Sequence, residues 1–369
     1  MPPSTRWSSR NLHDIPTPFA VIEAHAMRHN IRYMASALQR AGVRHMPHTK
    51  THKCKEIAAM QLAAGASGLT VATIPEAEAM LGVEAAEHVL VARALAADPS
   101  KHEALASLAD LAHVTVVVEE LEHVEALARA CRRAGTRLGV LVELDIGFGR
   151  AGCRSVDEAV AVAVASHRSV KFEGLMGYEA HAMHIEDDEE RAAIVHESLD
   201  ILAEAKDRLE AQGIEVETVS AGGTITYKSV SEHPAVTDVR SGGYVFMHAS
   251  PKFVPPHLAE FRTALSVVAT VIGAYADDRI VLDAGLKSVS TDGGSRLEVK
   301  GLDEAEVVMV TEEHLVLDVS RCERRPQSGD RMEIVSMHSC TTANLHSRYV
   351  VREGAGDDVA DVWDVVGRY

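Results

Sequence analysis

Between residues 43 and 245, short runs rich in Val, Leu and Ile alternate with Ala-, Glu- and Arg-rich stretches, and this alternation constrains the fold more than any other feature of the chain. The pattern predicts βα units on a parallel sheet, since each short apolar strand needs a helix to cover it and return the chain. The strand candidates are Arg44–His48, Leu69–Thr73, Val89–Ala92, Val114–Glu119, Leu138–Asp145, Phe172–Tyr178, Glu217–Ala221 and Asp238–Val245, eight in all. Eight parallel strands close a barrel. The expected fold class is therefore α/β, a (β/α)8 TIM-type barrel over residues 25–250, followed by a β-rich domain.

A ninth run, Phe19–Glu23, is one strand too many for the barrel, so residues 1–24 are assigned to the second domain with residues 256–369. From Ala264 onward the pattern is strand-rich, with candidates at Leu265–Val271, Arg279–Asp283, Val307–Val310 and Leu315–Leu317. The prolines of Pro251–Pro256 mark the expected linker.

The apolar fraction of 46% with only 4% aromatic residues suits a water-soluble α/β protein. No apolar run approaches the roughly 20 residues that a membrane span needs. Met1–His13 lacks the apolar stretch of a secretion signal, so the expected location is the cytoplasm. A formal charge of −17 disfavours nucleic acid as a partner. The five cysteines show no CxxC spacing, which argues for reduced thiols.

Barrel active sites lie at the C-terminal ends of the strands, so the residues there are the first candidates. Lys50 ends the first strand within Pro47-His48-Thr49-Lys50-Thr51-His52-Lys53, and a lysine held there can form a Schiff base with a carbonyl compound. Gly222-Gly223-Thr224 ends the seventh strand and offers backbone N–H groups to a phosphate; Gly243 and Tyr244, ending the eighth, repeat the offer. A strand-1 lysine and such a nest suit pyridoxal 5'-phosphate. Arg150, between glycines after the fifth strand, can donate to the cofactor's phenolate oxygen, and Tyr178 brings a ring to the same mouth after the sixth. Near the other end, His338 and Cys340 stand two apart, which on a strand puts imidazole and thiol on one face. Two such ligands can hold a divalent metal and leave positions open, and the thiol favours zinc over manganese or magnesium.

Taken together, these motifs resemble the D-threonine aldolase and D-serine dehydratase family, fold-type III pyridoxal phosphate enzymes related to alanine racemase. The resemblance is carried, in order, by Pro47–Lys53, Asp145–Gly152, Gly222-Gly223-Thr224, Gly243–Met247, Leu282–Ser288, Glu312-Glu313-His314 and His338–Leu345. It implies that Lys50 is the Schiff-base residue and that His338 and Cys340 are the metal pair. The chain departs from the family pattern at several places. Cys340 stands where D-threonine aldolases typically have aspartate, and His-x-Cys is closer to the dehydratases; Met46, Leu315 and Ile225 replace the usual arginine, glycine and proline.

The leading expectation is retro-aldol cleavage of a D-β-hydroxy-α-amino acid such as D-threonine, giving glycine and an aldehyde. His52 or a metal-bound hydroxide is the candidate base. The alternative is a D-serine or 3-hydroxyaspartate dehydratase, giving a keto acid and ammonia; a pyridoxal phosphate carrier without turnover is a third. The resemblance also implies a homodimer.

Overall fold

The computed structural model describes residues 10–96, 98–247, 256–294 and 296–368. Strand β1 is Phe19–Glu23. It is followed by β2 Arg44–His45, β3 Leu69–Val71, β4 His88–Val91, β5 His113–Val118, β6 Gly139–Glu143, β7 Lys171–Met176, β8 Thr218–Ala221 and β9 Asp238–Val239. Strands β2 to β9 form one parallel sheet in the order β2-β9-β8-β7-β6-β5-β4-β3. Its two ends meet: a parallel bridge joins His48 to Thr70, and the Thr70 N–H donates to the Pro47 carbonyl at 2.9 Å. The eight-stranded barrel expected from the alternation is thus closed, one helical segment following most strands.

Inside it Met46, Leu90, Val117, Leu141 and Met176 form a buried cluster. Each comes from a different strand or strand end, as side chains pointing inward from a pleated barrel must. The covering helices begin with side-chain caps that satisfy their first N–H groups. Ser155 accepts from the Glu158 N–H at the start of Val156–Ser169, and Asp187 caps Asp188–Glu210 in the same way.

The second sheet contains β1 together with β10 Leu265–Ala274, β11 Arg279–Leu282, β12 Leu297–Val299, β13 Glu306–Val310, β14 Leu315–Asp318, β15 Arg331–Ser336, β16 Arg348–Arg352 and β17 Val359–Asp364. Its order is β13-β14-β11-β10-β1-β16-β17, with β15 pairing both β10 and β12. Strand β1 runs antiparallel to β10 and parallel to β16, which accounts for the ninth run. The core of this sheet is aliphatic, built from residues such as Val267, Ala269, Leu282, Leu315 and Ile334.

Two compact units result. One comprises Met1–Ile31, Thr51–Cys54 and Gly243–Val366, the other Arg32–Lys50, Lys55–Gly242 and Gly367–Tyr369, so far as these ranges are described. Two expectations change in detail. The eighth barrel strand stops at Val239 rather than Val245, and Gly243–Val245 is a 3-10 turn, because Gly242 and Gly243 break the extended run. The linker placed at Pro251–Pro256 lies outside the described residues except for Pro256. Among the described residues, no helix is long and apolar enough to cross a membrane.

Candidate active site

All eight barrel strands run the same way, so their C-terminal ends share one mouth. Lys50 stands there, exposed, in the 3-10 turn Thr49–Thr51 that follows β2. Its N–H approaches His48 Nδ1 at 3.5 Å. Below it, buried His45 Nε2 lies 3.0 Å from the Ser241 hydroxyl, and burial pushes that imidazole's pKa down to about 4.

Three of the expected cofactor residues come together on this mouth. The Arg150 guanidinium lies 5.4 Å from the centre of the Tyr178 ring and 5.1 Å from that of Phe148, and it approaches buried Glu143 at 3.8 Å. A Cβ on Gly223 would stand 3.2 Å from the Tyr178 hydroxyl, so the turn after β8 lies close against that ring. The glycine N–H groups are not open, as the expected phosphate nest required. Gly222 N–H donates to Glu179 Oε2 at 3.2 Å and Gly223 N–H to Thr226 Oγ1 at 3.1 Å, while the Thr226 hydroxyl donates to Glu179 Oε1. An internal carboxylate occupies the turn. Thr224 follows in the same turn.

Sequence reasoning left out Arg240, the buried cation of this mouth. Its Nη2 donates to the Gly177 carbonyl at 2.7 Å, and its Nη1 is buried without a hydrogen-bond partner. Burial lowers its pKa, opposed by Asp238, Glu143 and Glu179, and burial likewise raises that of Glu143. Its sequence signal is its place, directly after the strand Asp238–Val239.

Gly243 and Tyr244 fall in the other unit. Gly243 O accepts the N–H groups of Phe246 and Met247, and Tyr244 is fully buried with its ring 6.1 Å from Phe261. Tyr244 is a core residue there. His52 is completely buried, its Nδ1 accepts the Cys54 N–H at 3.1 Å, and its ring meets Phe246 edge-on.

His338 and Cys340 do come together, though not on a strand. Strand β15 ends at Ser336, and a short helix, Ser339–Leu345, starts between the two residues with His338 as its N-cap. Asp292 Oδ2 lies 2.6 Å from His338 Nδ1, and the Thr341 hydroxyl donates to Asp292 Oδ1 at 2.7 Å. The Ser290 hydroxyl donates to the same oxygen. On the other ligand, Thr51 Oγ1 is 3.2 Å from Cys340 Sγ. The hydrogen bond to Cys340, reinforced by Asp292, raises the His338 pKa to about 9 against the opposing effect of burial.

A second group was not foreseen. His88 and His113 open β4 and β5 at paired positions, so their rings stack with centroids 4.3 Å apart. With Glu173 of β7 they place donor atoms within 4.8 Å of one another, a set that could hold a metal ion. These residues sit at the N-terminal end of the barrel strands, where barrels usually invest in stability rather than chemistry. The group was invisible along the sequence because its members lie on three strands.

Residues 22–250 match the family described as "Alanine racemase, N-terminal domain", and residues 264–352 match "Putative serine dehydratase domain". Among curated relatives, a D-threonine aldolase of Arthrobacter sp. is 31% identical over 96% of this chain and 93% of its own. A 3-hydroxy-D-aspartate aldolase of Paracoccus denitrificans is 31% identical over 96% and 92%. Among solved structures, the D-threonine aldolase of Filomicrobium marinum superposes with a TM-score of 0.91 at 30% identity, covering 97% of this chain and 98% of that one. A D-threo-3-hydroxyaspartate dehydratase, solved as a cysteine-to-alanine mutant in its metal-free form, follows at 0.84 and 26% identity over 96% and 99%. The chain belongs to the alanine racemase-like, fold-type III family that includes the D-threonine aldolases and D-serine dehydratases.

Proposed function

We propose that this protein is a pyridoxal 5'-phosphate- and divalent-metal-dependent lyase that cleaves D-threonine-like D-β-hydroxy-α-amino acids to glycine and an aldehyde. The observation that carries the reading is the likeness to two aldolases over 96% of the chain, spanning both the lysine segment and the His338–Cys340 segment. The barrel mouth fits the cofactor on its own terms. Arg240 offers a buried N–H that lacks an acceptor, and Gly223 opens a flat approach beside the Tyr178 ring.

When bound, pyridoxal phosphate supplies an electron sink for the broken bond and the metal a Lewis acid that acidifies the β-hydroxyl. Lys50 would hold the cofactor through its amine, and Arg150, stacked on Tyr178, and Arg240, anchored on the Gly177 carbonyl, would offer it donors. Gly222, Gly223 and Thr224 shape the wall through the Glu179-centred turn. His338 and Cys340 would hold the metal, and a sulfur ligand favours zinc over manganese or magnesium.

The second reading, a dehydratase forming a keto acid and ammonia, is favoured by one observation, the thiol at Cys340. The dehydratase relative was solved with a cysteine and a histidine replaced in separate mutants, and the two mutated positions are two apart, as His338 and Cys340 are. In that reading Lys50 would take the α-proton, and His338 and Cys340 would hold the metal whose Lewis acidity favours loss of the hydroxyl.

The test uses zinc- and pyridoxal-phosphate-loaded protein given D-threonine and D-serine, with both product pairs assayed in parallel. Glycine and acetaldehyde are expected. Keto acid and ammonia would establish the dehydratase, and a yellow protein inert on every D-β-hydroxy amino acid would favour the carrier.

A further inference from the structure

The imidazole of His338 has two ring edges, and one is spoken for. Its Nδ1 meets Asp292 Oδ2 at 2.6 Å, the length of a charge-assisted hydrogen bond. Asp292 does not hang free. Its other oxygen takes the Thr341 hydroxyl at 2.7 Å and that of Ser290, and its own N–H reaches back to Ser290 Oγ at 3.3 Å. Thr341 also reaches the His338 carbonyl at 3.2 Å, so the histidine, the carboxylate and the helix start form one closed hydrogen-bonded ring.

We propose that Asp292 is a positioning residue, which presents His338 to a divalent metal through Nε2 and is itself held in place by Thr341 and Ser290. The inference rests on the metal reading of His338 and Cys340 above. Ligating histidines characteristically donate their second N–H to a carboxylate, which fixes the tautomer and raises ligand basicity. Asp292 occupies the ring edge opposite Nε2, so it orients the ligand rather than joining it. A surface ion pair would not need the two hydroxyls that also pin Asp292. The thiol has a matching partner in Thr51, whose hydroxyl stands 3.2 Å from Cys340 Sγ and which directly follows Lys50 in the chain.

The experiment titrates zinc into the full-length, pyridoxal-phosphate-loaded protein against a chromophoric chelator, for the wild type and for Asp292→Asn, Thr341→Val and His338→Ala. Cobalt(II) replaces zinc in a parallel series read by visible absorption. Asp292→Asn keeps the volume and one acceptor while removing the charge. It is expected to weaken zinc binding about 10–100-fold, the usual cost of losing such a partner. The cobalt spectrum should change with it, while the metal-free protein loses far less stability than zinc binding does. Thr341→Val should weaken binding in the same direction by less. Wild-type affinity and an unchanged cobalt spectrum in Asp292→Asn would overturn the proposal, as would a loss of affinity matched by an equal fall in metal-free stability. Zinc retained at wild-type affinity by His338→Ala would overturn the metal reading and the proposal together, an outcome distinct from failure of Asp292 alone.

Discussion

Two clusters in this protein join histidine to a carboxylate, and they differ in what their lone pairs are doing. At the N-terminal end of the barrel, Glu173 Oε1 takes His113 Nε2 and Lys171 Nζ, each at 2.7 Å, and Oε2 takes the Thr115 hydroxyl at 2.7 Å. His88 Nε2 in turn lies 2.9 Å from Thr115 Oγ1. Burial would raise the Glu173 pKa, yet the three donors hold it at about 2. Gly139 completes the enclosure, since a Cβ there would stand 2.3 Å from Glu173 Oε2. In the other cluster a single carboxylate serves one edge of His338, and Cys340 stands beside the other residues only partly buried. Three donors within reach of one another do not make a site when each already has a partner and a lysine supplies the positive charge. A pair with one oriented imidazole edge and a half-buried thiol is the better metal candidate.

The largest expected effects test that contrast directly. His338→Ala should lower lyase kcat/KM about 10²-fold or more, the loss of several kcal/mol of metal assistance. His113→Ala, remote from the mouth, should stay within about twofold. Zinc binding should follow the same division, one ion per chain and none in His338→Ala. A second equivalent that survives His338→Ala and disappears in His113→Ala would break the comparison and make the barrel floor a metal site. Stability should divide the other way. Glu173→Gln should cost about 1–3 kcal/mol in urea unfolding, because it strips charge from a buried acceptor of three donors. Asp292→Asn, with a side chain 42% exposed, should cost under about 1 kcal/mol in the metal-free protein.

What the sequence could show follows from the range of each signal. The barrel was legible because its βα period repeats locally, and the run surplus to eight pairs with β10. Lys50 could be placed because a strand end is a local fact. The mouth's inner partners could not. Glu179 filling the Gly222 turn and Arg240 reaching Gly177 are contacts across 43 and 63 residues. The error at His338 and Cys340 was of another kind. A spacing of two reads as one face of a strand, but β15 ended at Ser336, and the helix at Ser339–Leu345 brought the two residues together by a different geometry. Asp292, 46 residues upstream of His338, carried no mark of its role.

The smallest effect sharpens the comparison through pH. Burial, assisted by the positive field of His113, lowers the His88 pKa from 6.5 to about 4, so the folded state prefers this imidazole neutral. Between those values the unfolded chain binds more protons than the folded one, and stability therefore falls as pH drops from 6.5 to 4. Glu173 acts later. Its folded pKa of about 2 lies below the ordinary 4.5, so its contribution is present above 4.5 and is lost as pH falls toward 2. Urea midpoints measured across this range should show two successive slopes of the same sign. His88→Gln should make the upper slope shallower, the remainder coming from buried His45, and leave the lower; Glu173→Gln should make the lower slope shallower, the remainder coming from Glu333, and steepen the upper, because the Glu173 charge raises the His88 pKa. If His88→Gln leaves the slope between 6.5 and 4 unchanged, the floor of the barrel is not the closed hydrogen-bond network that sets it apart from the His338 cluster.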